Sequence, residues 1–366
     1  MKIYNPFKKF IRPTTVQGVF KETEVELANR NSGMPLESLE HDITPIGQHY
    51  LLTHFDIPNI DKDKYIISFS GDLSNPFSLT YDEIKLRPKK TMSVTLECAG
   101  NGRANVNPRN FSMPWKYGAV GTSEWTGTPL RPLLNEAQLK PSVKEISFTG
   151  IDRGFDSGYE HNFARSLTLE QINELDVLLV YQMNDIPLLP QHGAPLRIIV
   201  PGWYGMASVK WLTGIEALSK PFEGYQQIQT YRFRQSRAEI GEPITEMRVK
   251  SLMKPPGIPD WTTRKRLVSA GTIPLMGRAW SGGGKKISKV EVLCDSQWVE
   301  ANLDFSKSKY SWTKWSLDWL ATPGHHVLSC RATDETGDTQ PEDPIFDVGG
   351  FANNSIQKLD VFVSNH

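Results

Sequence analysis

The sequence predicts two modules, a mixed α/β module over residues 1–244 and an all-β sandwich over residues 245–366. Three observations carry that expectation. A chain of 366 residues exceeds what one small core organises. A proline-rich stretch, Glu242-Pro243 through Lys254-Pro255-Pro256-Gly257-Ile258-Pro259, separates segments of different character, as a domain boundary does. Across it the hydrophobic pattern changes from strands alternating with helical periods to strands alone.

In the first module, β-branched runs at residues 65–70, 93–96, 145–149 and 196–200 read as strands with helical patterns between them. One helix is predicted over residues 168–175, with Thr168 as its cap and Gln171 at the capping-box position. In the second module, strand-like runs recur at residues 272–279, 286–295, 298–303, 313–317, 325–334 and 358–363. Turn-rich segments separate them and almost nothing has helical period, which is the pattern of a β-sandwich. Ser281-Gly282-Gly283-Gly284-Lys285-Lys286 lacks the spacing of a phosphate loop and lies between two strands, so it reads as a hairpin turn.

Forty-one basic and 41 acidic residues cancel, which argues against a nucleic-acid surface or a polybasic membrane contact. No apolar run approaches the roughly 20 residues of a membrane helix. The opening residues 1–10 lack a signal-peptide core, so a cytoplasmic location is expected. Three cysteines are too few and too scattered for a disulfide framework or a paired zinc site. Cys294 and Cys330 lie in alternating runs, where a buried thiol acts as a small hydrophobe.

Cys98 differs from both. It ends a strand and is followed by Gly100, Asn101, Gly102 and Arg103. A thiolate there, with glycines that admit a large ligand to the backbone, suits a soft metal or nucleophilic chemistry. Taken alone, the pattern also describes a buried cysteine before a turn. Further on, Pro190-Gln191-His192-Gly193-Ala194-Pro195-Leu196-Arg197 is followed by Pro201-Gly202-Trp203-Tyr204-Gly205-Met206-Ala207-Ser208-Val209-Lys210-Trp211. These runs place His, Arg, Ser and Lys donors around glycine-rich turns, which fits a polyanionic ligand. Singly, His192 also reads as a turn histidine and Lys210 as a solvated lysine.

In order along the chain, Cys98 to Asn101, His192 to Arg197 and Gly205 to Trp211 resemble the sulfite oxidase family. The likeness extends to residues 115–130, to Tyr181-Gln182-Met183-Asn184, and to Ala279-Trp280-Ser281-Gly282-Gly283-Gly284, Arg331-Ala332 and Gln340-Pro341. It implies an α+β domain that holds molybdenum on a pyranopterin dithiolene (molybdopterin), followed by an immunoglobulin-like dimerisation domain and hence a homodimer. By the same resemblance Cys98 is the only protein ligand of the metal, and Cys98, Tyr231 and Arg103 are the catalytic candidates. Cofactor contacts are implied at His54, Asp152, His192, Arg197, Ser208, Val209 and Lys210, with Arg153 beside Asp152 in the same loop. The implied reaction is oxygen-atom transfer, sulfite to sulfate, with two electrons released. A separate electron acceptor is expected, because the sequence shows no haem-attachment Cys-x-x-Cys-His and nothing like a flavin domain. The same reasoning speaks against a fused oxidase or an assimilatory nitrate reductase.

Two arginines that grip the sulfate product in well-known members are replaced here, by Leu52 and by Gly349. Each charge-assisted hydrogen bond is worth roughly 1.5 to 3 kcal/mol, so another sulfur compound, or an S- or N-oxide, stays open as substrate. Arg103, Arg153, Arg165, Arg232 and Arg234 lie close in sequence to site segments and are candidate replacement charges, with surface or phosphate-side roles as the alternative for each. A reading of another class is a non-enzymatic binding protein in which Cys98 is merely buried.

Overall fold

The computed structural model describes residues 22–306 and 308–365; the reading of residues 1–10 lies outside them. In the first module, runs of apolar and β-branched residues form two five-stranded sheets over a shared core, beside a two-stranded pairing of Arg232–Phe233 with Glu242–Pro243. One sheet has the order Phe77–Thr80, Ile66–Gly71, Leu212–Leu218, Glu145–Asp156, Tyr159–Thr168, with a parallel pairing between Ile66–Gly71 and Leu212–Leu218. The other runs Lys90–Glu97, Val120–Pro129, Leu178–Met183, Ile186–Pro187, and Arg197–Ile199 also pairs with Leu178–Met183. Phe148 and Ile215 of the first sheet and Leu179 and Ile198 of the second meet in one core.

Helix Leu169–Glu174 forms as expected. The Gln171 N–H donates to Thr168 Oγ1 at 3.2 Å and the Thr168 N–H donates to Gln171 Oε1 at 2.9 Å. The rest of the module is less helical than a mixed α/β reading implies, with helices as short as Tyr81–Lys85. The segments that carry the motifs form single 3-10 turns, Pro190–His192 and Gly205–Ala207. Flanking prolines and glycines give such turns no room to continue as α-helix.

The second module is two sheets around one core. The four-stranded sheet runs Lys250–Met253, Gly271–Trp280, Thr313–Ala321, Asn302–Asp304. The six-stranded sheet runs Ile258–Pro259, Arg266–Ser269, Gln357–Ser364, Gly324–Asp334, Ile287–Cys294, Gln297–Glu300. Leu275 and Trp315 of one meet Val290, Leu328 and Cys330 of the other.

Three expectations need correction. The run over residues 298–303 is two strands on different sheets, because buried Ala301 carries the chain across and donates its N–H to Val290 O at 2.9 Å. The glycine run after Trp280 is a crossover and no hairpin, since the strands it joins belong to different sheets. Its Gly283 N–H reaches Gly202 O of the first module, so bare backbone is what this close approach requires. Part of the proline-rich stretch is a fully buried strand, Lys250–Met253. All three cysteines are free; Cys330 is buried and Cys294 half-buried. Among the described residues no helix is long and apolar enough to cross a membrane.

Candidate active site

Cys98 follows the last residue of strand Lys90–Glu97 and continues its ladder, donating its N–H to Ala119 O at 2.9 Å. The chain then turns sharply, with the Asn101 N–H on Cys98 O at 2.9 Å and Gly102 in the left-handed region. A side chain at Gly102 would also strike Asn353, so glycine is required there twice over. The thiol is 6% exposed, and burial pushes its pKa up against the opposing pull of Arg103 and the Gly100 N–H.

The thiol faces a cavity. It gathers Cys98, His54, Asp152, His192, Arg197, Ser208, Lys210 and Tyr231 from positions far apart in sequence, together with Leu52. Arg197 is framed from both motif segments: Nη1 donates to His192 O and Nη2 to Ser208 O, each at 3.0 Å. Ser208 Oγ accepts from the Val200 N–H at 3.0 Å, which locks that turn to the adjacent strand. Lys210 Nζ donates to Leu52 O at 2.8 Å and to Gln191 O at 3.3 Å. Val209 does not line the cavity; its side chain is core and its carbonyl accepts from the Ile198 N–H. His49, Tyr50, Phe163, Met206 and Trp211 also face the cavity and were not expected there. Of these, Met206 and Trp211 lie within the third motif, and the other three carry no signal in the sequence.

The electrostatics of this cavity call for an anion. Burial, reinforced by Arg197, lowers Lys210 to about 7, with Asp152 pulling the other way. Burial lowers Arg197 to about 10. His54 and His192 are held neutral, both lowered to about 3 by burial first and then by neighbouring positive charge. Among the described residues lining the cavity Asp152 is the sole carboxylate, and burial raises it to about 6 although Lys210 draws it down. Cations crowded out of water with so little compensation are costly until an anion arrives.

Tyr231 follows a π-helical turn, Gln226–Thr230, a geometry often found at functional sites. Its hydroxyl lies 2.7 Å from His54 Nε2, and its ring is 5.1 Å from that of Phe351. Arg103 sits nearby without lining the cavity, donating through Nε to Gly349 O at 2.7 Å and through Nη1 to Met113 O at 3.1 Å. Of the other arginines, Arg165 is buried with its guanidinium 5.7 Å from the centre of the Tyr231 ring. Arg153 pairs with Glu160 at the surface, Arg232 is bonded to Ile240 O and Gly241 O, and Arg234 to Gln229 O.

The donor set fits a molybdenum-bearing pyranopterin. Cys98 is the one thiol lining the cavity, so it offers a single soft protein ligand that a cofactor with its own sulfur donors would complement. Asp152 Oδ1 and Arg197 Nε are buried without partners, one an acceptor and one a donor, as a pterin ring and its phosphate would require.

Residues 54–226 match the family described as oxidoreductase molybdopterin binding domain, and residues 242–364 match the Mo-co oxidoreductase dimerisation domain. Mitochondrial sulfite oxidase of Macaca fascicularis is 31% identical over 361 residues, which cover 91% of this chain and 64% of that protein. The chain belongs to the sulfite oxidase family. NADH nitrate reductase of Solanum lycopersicum is equally similar, 31% identical over 368 residues, covering 88% of this chain and 39% of that protein. The chain thus spans 64% of the length of the first relative and 39% of the second. The fold is also that of the sulfane dehydrogenase SoxCD from Paracoccus pantotrophus, with TM-score 0.77 and 24% identity over 97% of this chain and 96% of that one.

Leu52 and Gly349 stand at the two positions where the family resemblance leads to an expected arginine. Leu52 lines the cavity as an apolar wall. Gly349 contributes a carbonyl to Arg103, and the space a side chain would need there is taken by the Phe351 ring.

Proposed function

We propose that this molybdenum-cofactor oxidoreductase converts sulfite and water to sulfate and two protons, passing two electrons to a separate acceptor. The observation that carries the reading is the placement of Cys98 in one cavity with a cluster of cations and the His54–Tyr231 pair. When bound, the molybdenum group supplies oxygen-atom transfer coupled to a two-electron change. Cys98 would hold the metal, which displaces the thiol proton that burial otherwise retains. Asp152, His192, Arg197, Ser208 and Lys210 would hold the pterin and its phosphate.

Neutral His54 leaves Tyr231 in an uncharged pair. With the His54 Nε2–H donating to the phenol oxygen, the Tyr231 hydroxyl keeps its own proton for an oxygen of the bound anion. Leu52 and Phe163 give the cavity an apolar wall beside this pair. Arg103 and Arg165 supply positive potential behind Tyr231.

A second reading keeps the cofactor and changes the substrate to a neutral S- or N-oxide. It is favoured by the apolar Leu52 wall and by Arg103 directing Nε and Nη1 to two carbonyls without lining the cavity. A homodimer through the second module belongs to the proposal, supported by the dimerisation-domain match. So does a cytoplasmic location, which cell fractionation tests. The deciding experiment measures molybdenum content and sulfite turnover with an artificial acceptor. Fully metallated protein that ignores sulfite and reduces an S-oxide moves the assignment to the second reading, and protein that binds no molybdenum ends both.

A further inference from the structure

The residue before Cys98 is tied to the second module. Glu97 is 1% exposed and both of its carboxylate oxygens are occupied. Oε1 accepts from Lys250 Nζ at 2.8 Å and from Asn101 Nδ2 at 2.9 Å, while Oε2 accepts from Trp280 Nε1 at 2.9 Å. Lys250 and Trp280 stand opposite each other on neighbouring strands, Lys250–Met253 and Gly271–Trp280, which directs both side chains to the same face.

The loop itself is held from the same side. Lys250 Nζ also reaches Asn101 O at 3.4 Å and Asn353 O at 2.8 Å. Asn353 Nδ2 donates to Gly102 O at 2.8 Å, and the Ala352 N–H donates to Ala99 O at 2.7 Å. The carbonyls of Ala99, Asn101 and Gly102 are therefore all engaged by groups that lie beyond residue 245. A loop with glycines at positions 100 and 102 has little stiffness of its own. A metal ligand must nevertheless be presented within about 0.5 Å of its working position. An ion pair buried as deeply as Glu97–Lys250 is a poor source of stability, because desolvation offsets the attraction. What it supplies is direction: a buried, charge-matched clamp has few alternative geometries.

We propose that Lys250, Trp280 and Asn353 are positioning residues that set the Cys98 loop for the metal, making the second module a working part of the redox site. The inference rests on Cys98 being the metal ligand. Full-length chain is prepared with and without cofactor as wild type, Asn353→Ala, Trp280→Phe, Lys250→Met and the charge-matched double variant Glu97→Gln/Lys250→Met. Lys254→Met serves as control, since it breaks a pair with Glu40 that does not touch the loop.

In cofactor-free protein, alkylation of Cys98 followed by peptide mass spectrometry is expected to run about tenfold faster in Asn353→Ala and Trp280→Phe than in wild type or the control. In loaded protein the same variants shift the visible thiolate-to-metal absorption band. Should Lys250→Met fail to fold, the double variant and Asn353→Ala carry the test. Variants that melt earlier yet keep wild-type labelling and absorption make the contacts merely architectural and overturn the proposal. An absorption band that survives Cys98→Ser overturns the ligand assignment instead, while the labelling rates still report whether the second module orders the loop.

Discussion

The Tyr231 hydroxyl and the His54 Nε2 atom lie 2.7 Å apart, joining the turn before the second module to a loop early in the first. Burial raises the phenol well above its ordinary pKa while it lowers the imidazole to about 3, so neither partner is charged at neutral pH. Tyr231→Phe removes the one hydroxyl in this pair. Loss of an oriented donor predicts a fall of roughly a hundredfold in kcat with a smaller change in KM. Steady-state kinetics on equally metallated protein check this, and an unchanged kcat removes Tyr231 from the reaction.

Lys210 predicts a pH effect in cofactor-free protein. Its folded pKa, about 7, lies below the ordinary 10.5, so between those values the unfolded chain binds more protons than the folded one. Stability from this group therefore rises with pH across that window and is lost as pH falls through 7. Thermal melts between pH 6 and pH 10 should show a rise in wild type that is flattened in Lys210→Met. Identical slopes in the two proteins would rule the effect out.

Cys98→Ser separates chemistry from folding. The exchange leaves a small buried group in place and should cost about 1 to 3 kcal/mol at most. Circular dichroism stays at wild type while turnover and the thiolate-to-metal absorption are lost, with the cofactor's own sulfurs and contacts still able to retain the metal. A variant that keeps that absorption contradicts the assignment of Cys98.

Leu52→Arg tests what a guanidinium at this wall of the cavity would do. The backbone carbonyl of residue 52 still accepts from Lys210, so the loop is retained. A new charge in the cavity wall should tighten inhibition by sulfate about tenfold, as one charge-assisted hydrogen bond would. Sulfate inhibition constants provide the measurement; no change means that residue 52 does not face the bound anion.

Local spacing made the site legible. Cys98, His192, Arg197, Ser208 and Lys210 stand in short motifs whose turns are fixed by nearby glycines and prolines, and each meets the cavity directly or through its backbone. Phe163 and His49 were hidden because they arrive by sheet pairing and by a loop, neither of which leaves a periodic trace. Lys250 was obscured differently. Prolines close behind it mark a boundary, yet its strand is buried from end to end, and its partner Glu97 lies 153 positions away in sequence. The glycine run after Trp280 shows the same blindness, since composition identifies a turn and cannot say which strands it joins.

Ala301 has a consequence for how the second module comes apart. A single buried residue links a strand in one sheet to a strand in the other, so the sheets cannot separate by more than a residue's span before both ladders break. The module should therefore melt as one cooperative unit rather than fray from an edge. Its grip on Ala99 and Gly102 would then be held in full up to the transition and surrendered in a single step.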